Sequence, residues 1–385
     1  MLAIAAVAVL GAVLACGPTV PPPITPPPEV QVADPWPDVT WAGSFFDEPG
    51  AGADSERAVA VAASDAGFVA VGVAEDVGAV FGQIWTSSDG IEWERVEPAD
   101  RFEGIGFLDV AAGPGGFVAV GDQMAEPSQG EVPRIVLFRS ADGRHWERVP
   151  DVAGASGGFA TSIGGGPDGY IATGFRDPEP GPIVLVSADG NAWRSLAPDE
   201  LGDAASGLGN PVAVDGGWLA AGGSELDGLA ALSSADGISW SATRIEGPGT
   251  NGRHVDEVLA GPGGRLALGG GSDGCGPMSS CPGFGLGWWS ADGTSWGRIA
   301  DLDQGIPLGA VSADARGFVS FSGSGAQWSP DGWHWAPLGE SGMDAGAADL
   351  VTRGDRLVAV GDIAAEGGHT RAFFHVGGPD IEVLE

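Results

Sequence analysis

A seven-residue motif that recurs six times constrains the fold of this chain more than any other feature. Every copy has the form Ser-x-Asp-Gly-x-x-Trp. The copies are SSDGIEW (87–93), SADGRHW (140–146), SADGNAW (187–193), SADGISW (234–240), SADGTSW (290–296) and SPDGWHW (329–335). Successive aspartates are separated by 53, 47, 47, 56 and 39 residues. Units of this length, repeated along a chain of 385 residues, indicate a repeat architecture.

A second motif divides each unit into four short strands. Its copies are GFVAVG (67–72), GFVAVG (116–121), GYIATG (169–174), GWLAAG (217–222), GRLALG (264–269), GFVSFS (317–322) and RLVAVG (356–361). One short apolar segment precedes each copy, and another follows each motif tryptophan. Four strands in about 40–55 residues are typical of a β-propeller blade. We therefore predict an all-β, seven-bladed propeller of four-stranded antiparallel blades.

The sequence does not decide how the predicted propeller closes. The segment RAFFHVGGPDIEVLE follows the seventh copy and is long enough for two more strands. The sequence does not decide whether residues 38–46, DVTWAGSFF, add a closing strand to the last blade.

The Ser-x-Asp-Gly-x-x-Trp motif is predicted to be a structural turn between the third and fourth strands. Aspartate accepts backbone N–H groups, glycine takes the positive φ of a tight turn, and tryptophan buries its ring against the neighbouring blade. A catalytic group is normally used once, whereas these residues recur in every unit. The predicted structural residues are Asp89, Trp93, Asp142, Trp146, Asp189, Trp193, Asp236, Trp240, Asp292, Trp296, Asp331 and Trp335.

The motif resembles the Asp-box, the bacterial neuraminidase repeat of sialidases and many other propellers. The usual pattern is Ser-x-Asp-x-Gly-x-x-Trp, and all six copies here lack one residue between Asp and Gly. The resemblance covers residues 57–385 as a repeat type. It implies a sialidase-like propeller in which the Asp-box turns lie on the face away from any active site.

Sialidase chemistry is not expected. A sialidase-like site needs a tyrosine nucleophile and an arginine cluster, but the only tyrosine, Tyr170, takes an aromatic packing position in GYIATG. The Phe/Tyr-Arg-Ile-Pro motif is absent, and the five histidines form no metal-spaced pair. The sequence thus favours a non-catalytic protein with no cofactor and no metal. The alternative is a glycan-acting hydrolase with an unrecognised carboxylate pair among 52 acidic residues.

The N-terminus predicts export and lipidation. Residues 2–15 form an apolar run of signal-peptide length, which ends directly before Cys16 and resembles a bacterial lipobox. An ordinary secretory signal is the alternative. We predict a lipoprotein signal peptide over 1–16, a proline-rich tether over 17–37 and the propeller over 38–385, outside the cytoplasm and anchored to the membrane by a lipid on Cys16.

The two other cysteines, Cys275 and Cys281, are predicted to form a disulfide within one loop. A metal site is the alternative, but two thiols without a nearby histidine are a weak signal for it.

The acidic composition limits the possible partners. The formal net charge is −35, which repels nucleic acid and anionic lipid headgroups. It is equally consistent with a salty habitat and with a cationic or basic partner. We predict a monomeric binding or scaffold module for a protein or glycan of the cell envelope. Candidate binding residues lie in variable loops opposite the Asp-box turns: Glu126, Glu131, Asp177, Glu179, Glu225 and Asp227.

Overall fold

Seven four-stranded antiparallel sheets confirm the predicted all-β, seven-bladed propeller. The computed structural model describes residues 35–46, 53–77, 79–96, 102–123, 133–176, 181–224, 228–246, 254–271, 284–299, 309–322, 325–339 and 346–381. No helix within these ranges has the length and apolarity that crossing a membrane requires.

Each blade runs from an innermost strand outwards. The innermost strands are β2 (Ser55–Ser64), β6 (Ile105–Gly113), β10 (Gly158–Gly166), β14 (Val212–Val214), β18 (His254–Gly261), β22 (Ala310–Asp314) and β26 (Gly346–Arg353). The second strands are β3 (Gly67–Asp76), β7 (Gly116–Gln123), β11 (Gly169–Arg176), β15 (Gly217–Ser224), β19 (Gly264–Gly271), β23 (Gly317–Ser322) and β27 (Arg356–Ala364). The third strands are β4 (Ala79–Ser87), β8 (Arg134–Ser140), β12 (Pro182–Ser187), β16 (Gly228–Ser234), β20 (Phe284–Ser290), β24 (Gly325–Ser329) and β28 (Thr370–Gly378). The outer strands are β5 (Glu94–Arg95), β9 (Glu147–Arg148), β13 (Arg194–Ser195), β17 (Ser241–Glu246), β21 (Gly297–Arg298), β25 (Ala336–Pro337) and, in the seventh blade, β1 (Thr40–Phe45). Blades are numbered 1 to 7 in the order of their innermost strands.

The hydrophobic core lies between the blades. Successive side chains of a strand point to opposite faces of its sheet, and both faces of a blade pack against neighbouring blades. The second strands therefore need apolar residues at consecutive positions. In blade 1, Phe68 and Ala70 pack against blade 7, whereas Val69 and Val71 pack against blade 2. Seven such clusters among the described residues fill the seven interfaces between neighbouring blades.

The ring is closed by the N-terminal segment. Strand β1 pairs antiparallel with β28, from Thr40 opposite Gly378 to Phe45 opposite Phe373. Among the described residues, RAFFHVGGPDIEVLE thus supplies one strand of the last blade rather than two, and residues 40–45 supply its outer strand. This closure explains why seven blades carry only six Ser-x-Asp-Gly-x-x-Trp turns, since no turn joins the third and outer strands of blade 7.

Candidate functional site: the central channel

A polar channel of about 510 Å³ lies where the seven innermost strands meet. One equivalent position in every blade contributes to its lining, and these seven positions are called the pore ring. Each pore-ring residue lies seven positions before the residue that begins the second strand of its blade. The members are Ala60, Asp109, Ser162, Asn210, Glu257, Ala310 and Asp349.

An irregularity in strand pairing precedes the pore ring in five blades. In blade 2 the pairing with β7 shifts between Phe107 and Asp109, and in blade 7 the pairing with β27 shifts between Ala347 and Asp349. Blades 1, 3 and 5 carry the same shift. An extra residue of this kind redirects the side chains that follow it. Leu108, the extra residue of blade 2, lines the channel and is exposed.

Asp109 and Asp349 connect neighbouring blades through backbone hydrogen bonds. Asp109 accepts the N–H of Val110 at 2.7 Å through Oδ1 and that of Ile163, in blade 3, at 2.8 Å through Oδ2. Asp349 accepts the N–H of Leu350 at 2.7 Å and that of Val61, in blade 1, at 2.8 Å. The innermost strand is a sheet edge whose outward N–H groups have no ladder partner. The carboxylates satisfy those groups and hold the blades together.

Asp122 makes a third connection of this kind from the second strand of blade 2. Its Oδ1 accepts the N–H of Ala160, in blade 3, at 2.8 Å. Burial raises the pKa of this carboxyl to about 6. Asp122 and Asp109 therefore both bind the innermost strand of blade 3.

Glu257 is the pore-ring acid without a backbone partner. Among the described residues, its carboxylate makes no hydrogen bond and no ion pair. The channel lining contains no basic side chain within the described ranges. The negative charge of the channel is therefore not neutralised by this part of the protein.

Burial raises the pKa of all three pore-ring acids, and repulsion by other acids of the ring adds to the rise for Asp109 and Glu257. Burial raises the pKa of Asp109 to about 7, and the Asp349 charge adds to the rise. Burial raises the pKa of Asp349 to about 6. Burial, followed by the charges of Asp349 and Asp109, raises the pKa of Glu257 to about 8. At neutral pH Glu257 is therefore mainly protonated and can donate a hydrogen bond or a proton.

The channel can attract a cation electrostatically, but its acids are not grouped as metal ligands. No cluster of three or more His, Cys, Asp or Glu residues that could hold a metal ion exists among the described residues. A bound positive charge would lower the pKa values of the three acids, because it stabilises their ionised forms.

The Ser-x-Asp-Gly-x-x-Trp residues, called Asp-box residues after the motif that they resemble, lie in turns between the third and outer strands of blades 1 to 6. In the turn of blade 3, the N–H groups of Asn191 and Ala192 donate to Asp189 Oδ1 at 2.9 and 3.0 Å. Gly190 has a φ of 73°, where a side chain would be strained. The N–H groups of Ala192 and Asn191 lower the pKa of Asp189. This carboxylate is thus ionised, and its Oδ1 is occupied by its own turn.

The Asp-box tryptophans fix the turns to the blades. Five of them donate Nε1–H to the carbonyl of the glycine in their own motif. In blade 4, by contrast, the buried Trp240 indole nitrogen has no partner in the described part of the chain. Trp93 stacks on Phe374 of blade 7 with ring centroids 4.5 Å apart. Tyr170 is a buried packing residue whose hydroxyl bonds the backbone of blade 2.

Several predicted residues lie outside the described ranges. They are Cys16, Cys275 and Cys281, together with the loop acids Glu126, Glu131, Asp177, Glu179, Glu225 and Asp227. The predictions of lipidation, of a disulfide and of a binding face made of these loops therefore remain predictions.

The pore-ring acids were missed by the sequence analysis, although a signal for them exists. Asp109 and Asp349 each interrupt an otherwise apolar stretch of the first strand, and Glu257 lies at the same distance before its second strand. An acid in a strand that should be buried on both faces is unusual. The recurrence of an acid at one position of the repeat indicates that these acids share a common environment in the fold.

Comparisons with solved structures find matches at low sequence identity. A protein of unknown function from Dyadobacter fermentans has a TM-score of 0.47 at 11% identity, with 89% of this chain and 99% of that chain covered. Trypanosoma rangeli sialidase in complex with the inhibitor DANA has a TM-score of 0.46 at 12% identity, with 89% and 60% covered. A glycosyl hydrolase from Bacteroides ovatus has a TM-score of 0.39 at 14% identity, with 84% of each chain covered. No family model matches the chain, and no curated protein matches it.

Proposed function

We propose that this protein is an extracytoplasmic propeller, anchored by a lipid on Cys16, that binds a protein or glycan partner of the cell envelope without transforming it. The N-terminal apolar run, the cysteine that follows it and the proline-rich segment support the anchoring. The chemistry of the central channel supports the binding role.

The occupation of the pore-ring carboxylates carries this proposal. A glycosidase needs two carboxyl groups that are free to transfer protons, activate water or attack the sugar. Asp109 and Asp349 use both oxygens to hold backbone N–H groups of two blades. Among the described residues, Glu257 is the one acid of the ring whose carboxyl group has no partner. This arrangement supports binding better than hydrolysis.

The charge of the channel indicates the kind of group that it receives. Three acids face a lumen whose described lining has no basic side chain. A basic group on the partner gains from this potential, and at the same time it relieves the repulsion among the acids. We therefore expect the partner to present a positively charged group at the channel.

A crosslinked pull-down from the native envelope tests the binding role. The bait is the full chain as wild type, as Glu257→Gln and as the control Glu92→Gln, whose side chain is exposed in the Asp-box turn of blade 1. We expect wild type and the control to recover the same partner, and Glu257→Gln to recover at least about fivefold less. Equal recovery by all three would show that the channel is not the binding site. Cys16→Ala is expected to release the protein from the membrane, and retention would contradict the lipid anchor.

The second candidate function is hydrolysis of a glycan. One observation favours it: the pKa of Glu257 is raised to about 8, which suits a general acid at neutral pH. The purified protein should then hydrolyse a member of a fluorogenic glycoside panel, and Glu257→Gln should abolish the turnover. Turnover that depends on Glu257 would replace the binding proposal with this one.

A further inference from the structure

Blade 5 departs from the other six blades at one packing position. The second residue of the second-strand motif is buried and apolar or aromatic in blades 1 to 4, 6 and 7. These residues are Phe68, Phe117, Tyr170, Trp218, Phe318 and Leu357. In blade 5 the position is held by Arg265, which is only partly buried.

The aromatic side chain at this position normally seals the Asp-box face between two blades. In blade 3, the ring of Tyr170 lies against Gly190 of its own Asp-box. Its hydroxyl accepts the N–H of Gly115 at 3.1 Å and donates to the carbonyl of Gly116 at 2.9 Å, both in the first turn of blade 2. The ring thus closes the gap between blades 2 and 3.

Arg265 does not seal the corresponding gap between blades 4 and 5. Its guanidinium lies against Gly293 of its own Asp-box, where blades 1 to 4 and 6 place an aromatic ring. A pocket of about 450 Å³ remains beside it, lined by Asp215, Trp218, Asp236, Ser239, Ser241 and Arg265. Among the described residues, the Arg265 side chain makes no hydrogen bond and no ion pair. A guanidinium that is partly withdrawn from water with its donors unused is a site for an anionic group.

The other groups in the pocket limit the kind of anion that it can bind. The N–H groups of Ile238 and Ser239 lower the pKa of Asp236, so its carboxylate is ionised. Asp215 adds a second carboxylate to the lining. Two carboxylates disfavour a doubly charged phosphate, but they accept hydrogen bonds from hydroxyl groups. Ser239 and Ser241 add hydroxyl groups that both donate and accept.

We propose that the pocket between blades 4 and 5 binds an acidic saccharide through a uronic acid residue. The Arg265 guanidinium takes the sugar carboxylate in a paired hydrogen-bond arrangement. The sugar hydroxyls bind the carboxylates and serine hydroxyls of the lining. This site lies on the Asp-box face and is separate from the central channel, so it does not depend on the function proposed for the channel.

Calorimetric titration of the full chain with D-glucuronate and with D-glucose tests this site. We expect D-glucuronate to bind and D-glucose to bind at least about tenfold more weakly, because only the first carries the carboxylate. Arg265→Gln should weaken D-glucuronate binding by about tenfold or more. The matched control Arg144→Gln, an exposed arginine of the Asp-box turn of blade 2, should leave the affinity unchanged.

The variant Arg265→Phe restores the aromatic residue found in sister blades and fills the pocket. It should fold with undiminished thermal stability and lose D-glucuronate binding, which separates the site from a role in folding. Glu257→Gln should leave this binding unchanged, so the two proposals can fail independently. The proposal is overturned if D-glucose binds as tightly as D-glucuronate, if Arg265→Gln has no effect, or if inorganic phosphate binds more tightly than D-glucuronate.

Discussion

Three acids at one repeat position differ in their surroundings. Asp109 and Asp349 each hold an N–H of the next blade, whereas Glu257 holds none among the described residues. Withdrawing these carboxylates from water costs free energy. The backbone hydrogen bonds of the two aspartates offset part of that cost. Glu257 lacks that compensation, in agreement with its higher pKa of about 8.

Asp109→Asn should reduce the free energy of unfolding by about 1–3 kcal/mol. An amide offers one acceptor oxygen where the carboxylate offers two, so one of the N–H groups of Val110 and Ile163 loses its acceptor. Urea denaturation at pH 8 measures the change. Glu257→Gln is the control at the same ring position, and it should not destabilise the protein. An equal loss in both variants would contradict the connecting role of Asp109.

His375 is a buried base with no hydrogen-bond partner in the described part of the chain. It is 1% exposed, and neither ring nitrogen has a partner. Trp41, Phe321 and Phe373 surround its ring. Burial lowers the pKa of His375 to about 4, from an ordinary value of 6.5.

This shift predicts an acid-dependent loss of stability. Between pH 6.5 and about 4 the unfolded chain binds a proton at His375 that the folded chain does not, so the free energy of unfolding falls as the pH falls through this window. The loss should reach about 3 kcal/mol below pH 4. His375→Phe should remove it. Urea denaturation of the wild type and of His375→Phe at pH 7 and pH 4 gives the change in unfolding free energy of each protein. The difference between the two changes reports on His375, because the other titrating groups contribute equally to both. A difference independent of pH would contradict the prediction.

At the scale of elements, the outer strand of blade 7 decides whether the ring is closed. Strand β1 contributes Trp41, which is 4% exposed and lies 4.7 Å from the Phe321 ring of blade 6, centroid to centroid. Its Nε1–H donates to the carbonyl of Leu338 at 3.0 Å. The closing strand thus joins the last blade to blade 6 as well as to its own sheet.

Trp41→Ala should destabilise the propeller by about 3–5 kcal/mol, because it leaves a large cavity at the closure. Phe45→Ala is a control in the same strand: Phe45 is 56% exposed, and its loss should cost less than about 0.5 kcal/mol. Urea denaturation gives both values. Limited proteolysis should cut the Trp41 variant first near β1, and equal resistance of the two variants would contradict the closing role.

The repeated elements were predictable from the sequence, but the exact shape of the first strands was not. The second-strand motif and the Asp-box recur with recognisable residues, because every blade needs the same packing and the same turn. The irregularity before Asp109 or Glu257 has no residue signature of its own. It depends on the register with the second strand, which local sequence does not specify.

At the scale of the whole molecule, closure brings together residues that are far apart in the chain. Asp349 reaches Val61 across 288 positions of sequence. The three pore-ring acids come from blades 2, 5 and 7, and they repel one another only because the ring is closed. The channel is therefore a property of the assembled ring, and no single blade has it.

The sequence by itself determined the repeat unit and the blade count, because both follow from motifs that recur along the chain. Tertiary structure alone decided that residues 40–45 close the ring. It also brought three scattered acids together in one channel, and it left Arg265 beside a pocket without a partner among the described residues. These features depend on which blades become neighbours and in what register. Burial and distance between remote residues, rather than local pattern, determine the chemistry there.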